Sequence, residues 1–463
     1  MTTAGEGEAA PRRVSAGCCG GSSSGGGCGG SAARLAACAP GAAPAADAAS
    51  TTDAAPAARA TKTAGAAPAA RATKTAGAGP AAGRIGWLLA DSVWWGGRLR
   101  SGVALRVAPD GVVKPVPAEL APAGPDTRRL PGTLLPGLVD AHVHSALVDL
   151  GTVRAGGIAA VWDLGGVPAA VRELAERARS QHGPVAADAR SQRPASADAR
   201  SRRPASADAQ SQRPAAADRT PYPAVKLPRI RYAGPFLIAP GGYPSDREWA
   251  AAGSWREIGS AADAGAAVAD AWSGGAGLIK VTAHTGGPQL PQPVLRALVD
   301  AAHASGLPVV VHAEGPGTVA AAYTAGADLL AHTPWTERLD DALVRACAAR
   351  MCWISTLDIH GWGEPDPARE IAIDNLRRFR EHGGSVRYGT DLGNGPLPPG
   401  INVREIRALQ AAGLTPDDVL SVMTDSDSIT EVSWVAGGLD LDPERFADVL
   451  ATARVVDADV RPA

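Results

Sequence analysis

Aromatic residues make up only 4% of this 463-residue chain, with three Phe and five Tyr beside eleven Trp. A chain so poor in rings must build its core from Ala, Val, Leu and Ile, and its 45% hydrophobic fraction is ordinary for a globular protein. An excess of one charge is also missing: 45 Lys and Arg nearly balance 47 Asp and Glu, for a formal net charge of -2. That balance gives no electrostatic case for nucleic acid or for an anionic membrane. Apolar runs of ~18 residues are absent, so no membrane-spanning helix is expected. The N-terminus carries Glu6, Glu8, Arg12 and Arg13 with no apolar stretch behind them, which does not read as a secretory signal. A cytoplasmic protein acting on a small molecule is expected, and a homo-oligomer is compatible with this surface.

Cysteine is scarce as well. Four of the six, Cys18, Cys19, Cys28 and Cys38, fall in a Gly/Ser-rich stretch, and Cys347 and Cys352 lie far downstream. The first four lack the short paired spacing of a zinc knuckle, so free thiols are expected.

Large apolar residues are nearly missing from residues 1–83, which are rich in Ala, Gly, Pro, Ser and Thr. This composition predicts a disordered low-complexity tail. From Arg84 the character changes: Ile85, Trp87, Leu88, Val93 and Trp94 precede two β-rich runs, Val103–Val107 and Val112-Val113, split by a Pro-Asp-Gly turn. Segment 84–134 therefore predicts a small antiparallel sheet. The run Phe446–Asp457 has a similar strand pattern, so 434–463 is expected to complete a small β-sandwich domain with it. Between them, 135–433 alternates short apolar strands with amphipathic helical segments such as 293–305, 318–325, 336–350 and 367–382. Eight such units predict an α/β fold of the (β/α)8 TIM-barrel type, with its site at the C-terminal ends of the strands. One segment breaks the alternation. Over 184–220 a decapeptide recurs, with Pro184, Pro194, Pro204 and Pro214 in register and no apolar face, which predicts a disordered surface insertion.

Histidine types at the strand ends carry the chemistry. The run Pro136-Gly-Leu-Val-Asp-Ala-His-Val-His144 ends an apolar strand in two histidines one residue apart, and residues i and i+2 of a strand share a face. Alone, such a pair is more often surface polarity than a metal site. Here Lys280 lies on the fourth strand, His312 ends the fifth, His332 ends the sixth and Asp391 follows the eighth. Six ligand-type residues at successive strand ends of one barrel mouth point to a metal centre.

These words, together with Gly156–Gly165, Leu278-Ile-Lys-Val281, His312-Ala-Glu314 and Gly389-Thr-Asp391, resemble the amidohydrolase superfamily, and within it the imidazolonepropionase-like and prolidase-like branch. The resemblance runs from about residue 84 to the end, leaving out the decapeptide insertion. It implies two divalent metal ions, with zinc as the leading choice, held by His142, His144, Lys280, His312, His332 and Asp391. Lys280 would be carboxylated and bridge the pair, and Asp391 would be the catalytic acid and base. It further implies that a water activated between the ions hydrolyses a C–N bond in an amide, cyclic amide or dipeptide-like substrate.

His284, Glu314, Trp335 and His360 lie near the same mouth by topology and are candidate substrate contacts, whereas His182, His303 and His382 sit towards helix ends and read as structural or solvated. Departures from the family pattern, Thr333 after His332 and Val422–Ile429 in place of an Asn-Pro-Ala word, bear on substrate rather than on ligands. Two other readings stand beside the hydrolase with two metals. One is a mononuclear imidazolonepropionase-like hydrolase or deaminase, with Lys280 as a plain amine. The other is a non-catalytic binding protein on the same fold.

Overall fold

The structure is a computed structural model that describes residues 86–182, 225–425 and 429–457. The tail expected over 1–83, with its four cysteines, and the repeat expected over 184–220 lie outside the described residues.

The flanking segments form two sheets. The first has four strands in the order Val113–Pro117, Val103–Val107, Gly86–Leu89 and Thr127–Arg129. Its hairpin turns at Pro109-Asp110-Gly111, where the backbone N–H of Val112 donates to Asp110 Oδ1 and Gly111 takes a φ of 81°. A left-handed φ there favours glycine. The second sheet runs Arg454–Val456, Val432–Val435, Thr133–Pro136, Ser92–Trp94 and Leu99–Arg100. Leu88, Leu105, Leu134, Val432 and Val456 belong to one apolar cluster drawn from both sheets.

The C-terminal expectation is corrected in part. Phe446 and its neighbours form a helix, Pro443–Leu450, and only Arg454–Val456 is a strand. Asp442 caps the helix through the Glu444 N–H, Pro443 opens it, and Phe446, Ala447 and Leu450 form its buried face. Spacing of i and i+4 behind an Asp-Pro start is a helix signal that outweighs the local β-propensity. The helix expected over 336–350 is also shorter, Asp341–Ala348, because Asp340 caps it.

The central region pairs its strands in parallel throughout. Leu138–Val143, Ile158–Asp163 and Arg229–Tyr232 make a three-stranded sheet. A seven-stranded sheet runs Trp255–Glu257, Phe236–Ile238, Ile279–His284, Val309–Glu314, Leu329–Leu330, Cys352–Ile354 and Ser385–Arg387. The strand order thus does not itself close a barrel. Single backbone contacts span both gaps: Ala141 N–H donates to Tyr388 O at 2.9 Å, Val143 bridges Leu392 in parallel, and Gly277 N–H donates to Tyr232 O at 2.9 Å.

Leu278, Val310, Leu329, Ile354 and Trp162 form one buried cluster inside these sheets. Two-residue periodicity then places Lys280 beyond Leu278 and His312 beyond Val310 on the same faces. The histidines and the lysine therefore stand on top of an apolar floor.

Candidate metal centre

The strand Leu138–Val143 is buried along its whole length and delivers His142 and His144 side by side. Their Nε2 atoms both approach Asp391 Oδ1, at 3.0 and 3.1 Å. Their Nδ1 atoms face backbone carbonyls: His142 contacts Ala331 O at 2.8 Å and His144 contacts Gly165 O at 2.9 Å. A carbonyl only accepts, so each Nδ1 carries a hydrogen and Nε2 is the nitrogen turned to Asp391, where it donates when protonated and would offer its lone pair to a cation. Candidate ligand atoms of the three residues lie within 4.8 Å of one another.

Electrostatics fit a cation at that point. Burial pulls His142 down to about 4. His144 is also penalised by burial, yet the hydrogen bond and charge of Asp391, with Asp163, hold it above its ordinary value. Asp391 is pushed up by burial, but His142 and the hydrogen bonds from both histidines keep it well below the usual carboxylate range. A proton held by His144 thus occupies the place for which a divalent cation would compete. Outward nitrogens fixed by acceptors are also how a ligand histidine has its tautomer set.

Asp391 itself has a φ of 60°, a left-handed conformation that Asp tolerates better than most residues. The turn is held by the Asp391 N–H donating to His142 O at 2.8 Å and by the Thr390 N–H donating to Asp140 Oδ1 at 3.0 Å. Gly389, two residues before Asp391, admits no side chain, because a Cβ would lie 2.4 Å from Ile354 and 3.1 Å from His142.

His332 and His312 continue the ring of imidazoles. The His332 ring centre lies 4.6 Å from that of His142 and 4.9 Å from that of His312. His332 Nδ1 hydrogen-bonds Thr356 Oγ1 at 2.9 Å, and burial with the surrounding charges of His142, His312 and Lys280 holds the ring well below its ordinary value. His312 Nε2 meets Glu314 Oε2 at 2.9 Å. Burial raises Glu314, but the hydrogen bond and charge of His312, with His284 and Arg247, hold it below its ordinary value. The ionised carboxylate accepts, so His312 keeps Nδ1 as its lone-pair nitrogen. Lys280, 1% exposed, is pulled down to about 7 by burial, against the opposing charges of Asp391 and Asp163.

No protein-family model matches the sequence, and no curated protein matches it. Solved structures share its fold. A Xaa-Pro dipeptidase with bound methionine in its active site aligns over 81% of this chain and 99% of its own, at 17% identity and a TM-score of 0.58. An ochratoxinase of A. niger aligns over 81% and 95%, at 15% identity and a TM-score of 0.60. An amidohydrolase aligns over 82% and 98%, at 17% identity and a TM-score of 0.57. The chain has the amidohydrolase-superfamily fold.

On this amidohydrolase fold the four outer candidates all reach the same mouth. Glu314 touches His312 directly, and His284 Nε2 lies 3.4 Å from Glu314 Oε1. The Trp335 ring centre is 5.4 Å from that of His332 and 5.1 Å from that of His360, whose pKa burial lowers to about 4. His303 instead pairs with Asp328 at 2.8 Å, and His182 meets Glu431 and Leu227 O, which are structural contacts. A hollow lined by Trp87, Arg106 and Val116 lies on the four-stranded sheet and gathers no ligand histidines.

Sequence reasoning missed several residues of this site. Asp140 is 1% exposed and accepts from the N–H groups of His142 and Thr390 at 3.0 Å each and from Thr390 Oγ1 at 2.6 Å. Asp163 is fully buried, accepts from Ser145 N–H at 2.8 Å and sits within the field of His144. Asp140 lies two residues before His142 and Asp163 two residues before Gly165, and that spacing is a usable signal. Tyr243 stacks on His284 and on His312, at 4.9 Å in each case, and belongs to an irregular loop with no such signal.

Proposed function

We propose that this chain is a metal-dependent amidohydrolase that cleaves a C–N bond in a small amide, cyclic amide or dipeptide-like molecule. The convergence of His142 Nε2 and His144 Nε2 on one Asp391 oxygen, with both Nδ1 atoms committed to carbonyls, carries the reading. In this reading the two parallel sheets act as one (β/α)8 barrel, and the two flanking sheets form a separate β-sandwich domain.

His142, His144 and Asp391 would hold one ion and His312 and His332 a second, with carboxylated Lys280 as a further anionic ligand. Imidazole and carboxylate together suit zinc. When bound, such ions lower the pKa of water towards neutrality and polarise a carbonyl. With its pKa near 7, Lys280 keeps a neutral fraction at neutral pH, and a neutral amine adds to carbon dioxide with loss of one proton. Asp391 accepts the proton of the attacking water and returns it to the leaving nitrogen, giving a carboxylic acid and an amine. Asn394 Nδ2 donates to Asp391 Oδ2 at 2.9 Å and keeps the carboxylate turned towards the histidines. Glu314 fixes the tautomer of His312.

A mononuclear reading is favoured by one observation: among the described residues, the set that already converges is His142, His144 and Asp391. Metal analysis separates the two. Two zinc equivalents per chain, lost together in Lys280→Ala, support the bridged pair, and one equivalent untouched by that change defeats it. Hydrolysis of a panel of amides by the loaded protein and not by the stripped protein tests the activity. No turnover by loaded protein would leave a binding protein.

A further inference from the structure

Few of the chain's aromatic rings can be spared from its core, yet four of them gather around the histidines. Phe236 is buried with its ring centre 5.9 Å from that of His144. Its seat requires glycine at 165, where a Cβ would lie 2.4 Å from the ring. Trp249 stands 6.1 Å from Phe236, 6.2 Å from Tyr243 and 6.1 Å from His144, and it is 40% exposed. Tyr243 completes the wall by stacking on His312, and Trp335 faces His312 from another side at 5.8 Å. The Phe236 and Tyr243 rings meet Trp249 steeply, at 70° and 64°, so the exposed indole closes a corner built of ring faces.

The cation between Tyr243 and Trp249 in the same loop is already engaged. Arg247 lies over the Tyr243 ring at 5.4 Å and pairs with Asp246 at 3.5 Å. What this side of the mouth offers a ligand is therefore a flat apolar surface beside the candidate ligand His144.

We propose that the corner formed by Trp249, Tyr243 and Phe236 is a subsite for an aromatic ring, so that the preferred substrates are aryl-bearing amides rather than aliphatic ones. The inference rests on the hydrolase reading above for the bond that is cleaved. Ring faces attract another ring through their quadrupoles, beyond the gain from burying area. Area alone predicts the opposite order for two ligands of equal size, because a cyclohexyl group is more apolar than a phenyl group.

The test measures binding of two methyl ketones that cannot be hydrolysed, phenylacetone and cyclohexylacetone, to the zinc-loaded protein by calorimetry. Phenylacetone is expected to bind about fivefold more tightly. Trp249→Leu should remove the preference and Trp249→Phe should retain it, with circular dichroism confirming that both variants fold. Equal or reversed affinities in the unmodified protein, no binding of either ketone, or a preference that survives Trp249→Leu would each overturn the subsite. Protein that shows the preference yet hydrolyses no amide would overturn the hydrolase reading and leave the subsite standing.

Discussion

Thr390 Oγ1 donates to Asp140 Oδ2 across 2.6 Å, and this one buried carboxylate also accepts the backbone N–H of His142. Asp140 therefore ties the strand that carries His142 to the turn that carries Asp391. Thr390→Val removes one of these bonds and leaves a buried acceptor short of a partner. Metal affinity should fall about tenfold or more, as measured by chelator competition. Thr390→Ser keeps the hydroxyl and should stay close to the unmodified protein. Equal zinc affinity in the Val variant would remove Asp140 and Thr390 from the support of the centre.

Loss of a candidate ligand should be far more severe. His142→Ala is expected to lower kcat/KM for the best amide on the order of a thousandfold, equivalent to several kcal/mol of lost transition-state stabilisation. His303→Gln, whose side chain pairs with Asp328 on a helix end, should change kcat/KM little. Steady-state kinetics on both variants provides the comparison.

Glu431 gathers two arginines and a histidine where the flanking sheet meets the central region. It lies 3.2 Å from Arg154, 3.2 Å from Arg229 and 2.8 Å from His182, with 10% of its side chain exposed. Glu431→Ala leaves the buried Arg154 with only the half-exposed Asp457 as a partner and should cost about 3 kcal/mol in urea unfolding. Asp457 also contacts Arg154, but 53% of its side chain is exposed, so Asp457→Ala should cost no more than about 1 kcal/mol. Similar losses in the two variants would contradict this account.

Glu405 makes stability depend on pH. Burial pushes its pKa from 4.5 up to about 7, although hydrogen bonds from Ser355 and from backbone N–H groups oppose the rise. The folded state then binds the proton more tightly than the unfolded chain. Its stabilising contribution is complete below the unfolded pKa and is lost as pH rises to about 7. Glu405→Gln has no such titration. Between pH 5 and pH 8 the unmodified protein should lose on the order of 2 kcal/mol relative to the variant. Parallel urea curves at the two pH values measure it, and a constant difference would show that Glu405 does not titrate in this window.

Residues at regular positions were legible, and residues in irregular ones were not. His142, His144, Lys280, His312 and His332 could be placed because each lies on or just past an apolar strand whose two-residue period fixes its face. The tautomers of His142 and His144, which make the cluster suitable for a cation, depend on Ala331 O and Gly165 O. Such contacts between distant segments leave no pattern in either segment. Phe236–Ile238 escaped notice because it is three residues long and directly follows another strand, and Tyr243 and Trp249 because their loop has no period. The C-terminal helix was misread because Val449 and its neighbours alternate like a strand, while the deciding signal was the Asp442-Pro443 start.

Gly137 alone separates the sheet strand Thr133–Pro136 from Leu138–Val143. Its N–H donates to Glu431 O at 2.8 Å, and a Cβ there would lie 2.6 Å from Glu431 and 2.8 Å from Ala159. The outer sheet and the histidine strand are thus one continuous rod clamped at its midpoint, and the rod's outer half is held by Val432–Val435 from the far end of the chain. A fragment cut to the central strands alone would lose that clamp, so the position of His142 depends on both ends of the described chain together.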